Sequence, residues 1–131
     1  MLNEVKLLVF DLDGTLLNSD KNITIETKKE IQRASKQGIK ICLASGRFEK
    51  MMYLEKNILD CVDYMISSNG AQICDFKNNI IYKNSLNKDD FINVFELIKE
   101  HGYKAMIYSS DSAYYPIGVD KMLNKIENYK K

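Results

Sequence analysis

VKLLVFDLDGT, residues 5–15, is the stretch on which the reading of this chain turns. Lys6 is the only polar residue between Val5 and Phe10, and a near-continuous run of bulky apolar residues predicts a strand buried on both faces of a parallel sheet. Two aspartates, a glycine and a threonine follow where the run stops. In open α/β sheets the carboxyl ends of the strands border the ligand crevice, so Asp11 and Asp13 are expected to project into it rather than into the core. Gly14 lets the chain turn where a Cβ would obstruct it.

Two carboxylates this close repel one another and lose solvation unless a positive group lies between them. A hard divalent cation, Mg²⁺ above all, suits them, with ligands from a carboxylate, a backbone carbonyl and water. A charged carboxylate is also a workable nucleophile at neutral pH, giving an aspartyl phosphate when it attacks phosphorus. The plain alternative is a solvated Asp-rich turn after a strand. An EF-hand is excluded, because that loop places its glycine at position 6 and a Glu at 12, whereas Gly14 is the fourth residue from Asp11.

Working outward, residues 16–23 read as a polar loop or small flap, ending at Thr24 as an N-cap. Residues 25–37 predict a helix with Ile31 and Ala34 on its apolar face and Gly38 as its stop. Residues 39–44, IKICLA, form a second buried strand, and a strand, helix, strand unit of this kind predicts a right-handed crossover between parallel neighbours. Ser45, Gly46 and Arg47 therefore arrive at the same sheet edge as the aspartates. A hydroxyl, an approachable glycine amide and a guanidinium are groups that hold phosphoryl oxygens, although SGR alone is a common turn tripeptide.

Residues 48–59 predict a helix with Met51, Leu54 and Ile58 in one stripe, bordered by Met52 and Leu59. Residues 64–67 make a third strand followed by Asn69 and Gly70, where Asn69 either contacts substrate or turns the chain. Residues 71–76 and 80–83 read as a hairpin around Asn78 and Asn79. From Asn84 the character changes. Phe91, Val94, Phe95 and Ile98 mark an amphipathic helix with Asn87 as N-cap and Asp89 and Asp90 in its first turn. Residues 103–108 and 113–117 look like two strands, with Tyr108, Tyr114 and Tyr115 as pocket-lining or simply packing aromatics. A helical stripe of Val119, Met122, Leu123 and Ile126 closes the chain.

The 131 residues suit a modest core, and a net charge of +1 indicates neither nucleic-acid nor anionic-membrane binding. No apolar run approaches the ~20 residues that span a bilayer, and the first residues carry no secretory pattern. Cys42, Cys61 and Cys74 are odd in number and lack CxxC spacing, which favours a reducing cytoplasm. His101 is the only histidine and precedes Gly102 at a helix end, so a histidine-based triad is excluded.

FDLDGTLL, residues 10–17, closely resembles the first motif of the haloacid dehalogenase-like (HAD) superfamily of aspartate-nucleophile phosphohydrolases. LASGR, residues 43–47, is similar to its second motif, and SNGA, residues 68–71, to the segment before the large cap of the Cof-type subfamily. The resemblance covers the first half or so of such a protein. It implies an α/β fold with a Rossmann-like parallel sheet, a partial core over residues 1–83, and the start of an α+β cap over residues 84–131. It further implies that Asp11 attacks phosphorus while Asp13 serves as acid and then base. Ser45, Gly46 and Arg47 would hold the phosphoryl group, Asn69 the substrate, and Asp11 and Asp13 Mg²⁺.

Family members also supply a later lysine and a GDxxND-like acidic segment, and neither is found here. Their absence predicts weak metal binding and a loss of about 2.7–4 kcal/mol of transition-state stabilisation, on the order of a hundred- to thousandfold in rate. The first strand, central in the family, becomes an exposed apolar edge, predicting a homo-oligomer or a complementing chain there. The expected activity is thus a crippled Mg²⁺-dependent phosphohydrolase acting on a small phosphorylated metabolite. A non-catalytic phosphate-binding or interaction module is the rival, and a mutase or dehalogenase on the same scaffold ranks below both.

Overall fold

The computed structural model describes residues 5–108 and 113–114 and has an α/β, Rossmann-like architecture. The chain divides into two compact units, one up to Asn84 and one from Ser85 onward. In the first unit, strand β1 (Leu7–Asp11) leads through helix α1 (Ile25–Lys36) to β2 (Lys40–Ala44). A 3₁₀ turn (Glu49–Met52) running into α2 (Tyr53–Leu59) then leads to β3 (Tyr64–Ser67). These three strands are parallel. The hairpin of β4 (Gln72–Asp75) and β5 (Ile80–Lys83) adds to them antiparallel, giving the order β1-β2-β3-β4-β5.

Local chemistry sets the helix limits. The Thr24 side chain accepts a hydrogen bond from the Thr27 amide at the start of α1. Beyond its last turn Gly38 adopts a φ of +88°, a left-handed stop that residues with a Cβ avoid. The core beneath the sheet consists of Leu12, Leu16, Leu17, Ile31, Ile41, Leu43, Met52, Leu59, Val62, Met65 and Cys74. Burial lifts the Cys42 thiol to about 11, so it stays protonated at neutral pH.

Three expectations are corrected. Strand β1 is not buried on both faces: Leu8 and Phe10 are half-buried, whereas Leu7 and Val9 are 47% and 51% exposed. Its place at the sheet edge, pairing among the described residues only with β2, is as expected from the absence of the family's later acidic segment; the open second face is not, because an apolar composition cannot tell a covered face from an open one. By contrast β2, inside the sheet, buries Ile41, Cys42 and Leu43 in succession. Second, the loop after β1 is only partly polar, since Leu16 and Leu17 turn into the core. Third, the 3₁₀ turn shifts the helical phase of residues 48–59. Met52 and Leu59 are fully buried, whereas Leu54, expected on the apolar stripe, is 67% exposed.

In the second unit, α3 (Lys88–Glu100) is capped by Asn87, whose Oδ1 accepts from the Asp90 amide at 2.9 Å. Phe91 and Phe95 stack along it, and His101 at its end stacks on Tyr103. Strands β6 (Ile107–Tyr108) and β7 (Ala113–Tyr114) pair antiparallel. Residues 103–106, expected to be strand, are not. The expectations for Tyr115 and the helix beyond Val119 lie outside the described residues. No helix among the described residues is long and apolar enough to cross a membrane.

The phase shift in residues 48–59 has a direct stability consequence. Met52→Ala should lower the unfolding free energy in urea by about 2–5 kcal/mol, and Leu54→Ala should change it by no more than about 0.5 kcal/mol. Equal losses would put Leu54 back on the core side.

Candidate active site

Strand register brings the candidate residues to one sheet edge. Asp11 lies opposite Ala44, and Ala44 opposite Ile66. The loops that follow β1, β2 and β3 therefore leave the sheet side by side. After β2, the Ser45 amide donates to the Ile66 carbonyl at 2.9 Å, while the Ser45 carbonyl accepts from the Asn69 amide at 3.2 Å. The Ser68 amide donates to the Arg47 carbonyl at 2.8 Å, so the second and third loops are laced together. The Ser45 hydroxyl oxygen also accepts from the Arg47 amide at 3.2 Å, holding the SGR turn in shape.

Asn69 turns the chain, one of the two roles that its sequence left open. Its backbone is left-handed, with φ 54° and ψ 36°, so it turns the chain. Its side chain packs against Gly46, where a Cβ would meet Asn69 Oδ1 at 2.9 Å. A larger residue at Gly46 would displace the end of the Asn69 side chain, not its backbone.

The two aspartates differ sharply. Asp11 ends β1 exposed, and its carboxylate makes no hydrogen bond or ion pair among the described residues. Asp13, two residues on, is held by a bidentate fork: Arg47 Nε donates to Oδ2 and Nη2 to Oδ1, both at 2.9 Å. Lys21, from the loop after β1, adds a 3.0 Å contact to Oδ1. The Arg47 guanidinium holds the Asp13 carboxyl below the usual aspartate range, with Lys21 assisting and burial opposing.

Arg47 has a second side. Nη1 donates to Glu55 Oε1 at 2.9 Å and, more loosely, to the Met51 carbonyl at 3.4 Å. Glu55 was not foreseen as a site residue, nor was Lys21. The signal for Glu55 lay in its spacing, three residues after Met52 and four before Leu59, which puts a charge among core positions. Glu49 is a second buried carboxylate, accepting from Tyr53 Oη at 2.6 Å and Gln72 Nε2 at 2.5 Å.

The Asp11 carboxylate and the Asp13 backbone carbonyl are hard oxygen donors, and this chemistry fits Mg²⁺ better than a softer metal. Asp11 offers its uncommitted carboxylate. Because the Asp13 carboxylate is engaged by two cations, the backbone carbonyl is its available ligand atom. No group of three or more His, Cys, Asp or Glu side chains suited to a metal occurs among the described residues.

Fold and site together define an α/β protein with a carboxylate at a strand end and a basic, glycine-containing loop beside it. The family model of the haloacid dehalogenase-like hydrolases matches residues 8–131, and the chain belongs to that family. Phosphatase YwpJ of Bacillus subtilis (strain 168) is 28% identical over 114 residues, covering 86% of this chain and 39% of that protein. A haloacid dehalogenase-like hydrolase from Bacteroides thetaiotaomicron has a TM-score of 0.82 at 27% identity, covering 96% of this chain and 49% of the other. The HAD subclass IIB sugar phosphatase BT4131 has a TM-score of 0.76 at 25% identity, covering 94% of this chain and 48% of the other. The chain thus spans about two fifths of the curated relative and about half of each solved chain.

The Asp13 pKa has a defined pH signature. Because the folded value is depressed, the stability this carboxylate contributes is present above its unfolded value, about 3.9, and is lost as pH falls through the folded one. Carboxyl ¹³C NMR should show Asp13 titrating below about 3.9, and its midpoint should rise toward that value in Arg47→Ala. An unchanged midpoint would mean that the pair does not form in solution.

Proposed function

We infer that this chain carries the nucleophile half of a Mg²⁺-dependent phosphohydrolase site acting on a small phosphorylated metabolite through an aspartyl-phosphate intermediate. The observation that carries this reading is the contrast between the carboxylates: Asp11 is exposed and uncommitted, while Asp13 is ion-paired two residues away. Phosphatases among the relatives support it. The near-neutral overall charge favours a small substrate over a polyanion.

Asp11 attacks phosphorus, forming its acyl phosphate as the ester oxygen leaves. The Ser45 hydroxyl, the Gly46 amide and the Arg47 guanidinium hold the phosphoryl oxygens. Held by Arg47, Asp13 can accept a proton but has none to donate, so in this geometry it is a base. Its acid role requires Arg47 to be drawn off, and a dianionic phosphoryl group is a strong competitor for a guanidinium fork. With the fork withdrawn, Asp13 takes up a proton from solvent or from the incoming phosphoryl group, passes it to the leaving oxygen and, again a carboxylate, takes a proton from the water that hydrolyses the acyl phosphate on Asp11. Asp11 and the Asp13 backbone carbonyl would hold Mg²⁺, which would supply charge neutralisation at the phosphoryl group. Asn69, against Gly46, faces the substrate from the third loop.

The later lysine and acidic segment of the family are not among these 131 residues, and a complete site would draw them from a longer chain, a second copy or a complementing chain. The open edge of β1, with Leu7 and Val9 exposed, is the place where a second copy or a complementing chain would join.

Hydrolysis of an aryl phosphate, with and without Mg²⁺ and with Asp11→Asn as control, tests the chemistry. The expected result is metal-dependent turnover, on the order of a hundredfold or more below that of a complete site and abolished in the variant. No turnover above the Asp11→Asn control leaves a phosphate-binding module. Light scattering tests the edge: a self-associated species should dissociate to monomer in Val9→Lys, because a charge at the centre of an open strand blocks edge pairing.

A further inference from the structure

We propose that Glu55 is a positioning residue that fixes the Arg47 guanidinium so that its Nε and Nη2 edge faces the sheet-edge site. In the second half of its argument, phosphate binding, the proposal rests on the phosphohydrolase reading. Glu55 lies on α2 in phase with Met52 and Leu59, both fully buried, and is itself only 5% exposed. An apolar side chain would pack there without cost. A buried carboxylate loses solvation that an ion pair only partly restores, and replacing such pairs with apolar residues is often neutral or stabilising. Glu55 is poorly repaid even by that standard. Oε1 receives Arg47 Nη1 at 2.9 Å, whereas Oε2 is buried with no hydrogen-bond partner.

What Glu55 does achieve is orientation. A guanidinium is planar, so fixing Nη1 to a buried anion on a helix fixes the direction of the opposite edge. That edge, Nε and Nη2, makes the bidentate fork to Asp13, whose side chain is 43% exposed. The inner partner is therefore permanent and the outer partner exchangeable. When phosphoryl oxygens replace Asp13 on the fork, Glu55 keeps Nη1 in place, and Arg47 need not be re-ordered at the moment of binding.

The test uses Glu55→Gln, which keeps shape and acceptor but loses the charge, and Glu55→Met, which loses both. The first readout is the ¹H–¹⁵N resonance of Arg47 Nε–H, assigned by its loss in Arg47→Lys. It should be resolved and protected from solvent exchange in the parent and exchange on the order of tenfold faster in Glu55→Met, with a smaller change in Glu55→Gln. The second is titration with inorganic phosphate, followed at the Ser45 and Gly46 amides, which should weaken on the order of tenfold in Glu55→Met. Urea denaturation run alongside separates orientation from stability. Unchanged Arg47 exchange in either variant that remains folded would overturn the proposal, whatever happens to stability. If the parent neither binds phosphate nor turns over substrate, the phosphohydrolase reading fails, and the Arg47 resonance still decides the role of Glu55.

Discussion

Parallel pairing of three strands in one register is the constraint from which the site follows. Asp11, Ala44 and Ile66 stand abreast in adjacent strands, so the residues just beyond each are delivered to a common edge without any side chain having to reach far. Backbone hydrogen bonds between the second and third loops then fix their relative height. Catalytic groups placed by strand ends need less ordering on binding than groups on independent loops. A slip of one residue in β1 would turn Asp11 to the other face of the sheet and Leu8 and Phe10 out of the core.

Arg47 is the second organising element, and it works by charge rather than by backbone. Its guanidinium connects the turn after β1, the turn after β2 and helix α2 through Asp13, Glu55 and the Met51 carbonyl. At 11% exposure its side chain is too buried to be a simple surface cation, so its partners matter energetically. The consequence for chemistry is an asymmetric pair of carboxylates, one uncommitted and one neutralised. Such asymmetry is how two like groups acquire different roles.

Buried polarity elsewhere has a different character. Glu49 is satisfied by Tyr53 and Gln72, and Gln72 also approaches the Cys74 sulfur at 3.3 Å. That cluster joins the 3₁₀ turn to β4 with both Glu49 oxygens partnered, as expected for a structural network. Glu55, with one oxygen unpartnered, is not of this kind, and the difference marks it as part of the site's support.

The sequence by itself determined the strand-end aspartates, the Thr24 and Asn87 caps, the third strand at residues 64–67 and the family. Each of these is written locally, in period, capping chemistry or a short motif whose spacing survives without knowledge of neighbours. Tertiary structure decided what depends on partners distant in the chain. Whether the outward face of β1 is covered, that Leu16 and Leu17 enter the core, and that residues 49–52 tighten and move Leu54 outward all depend on what packs against them. The same holds at the site. SGR foretold a basic turn, but not that Arg47 would bind Asp13, 34 positions before it, and Glu55, eight after it. Ion pairing is set by distance in space, and nothing in the local pattern of either partner encodes that distance.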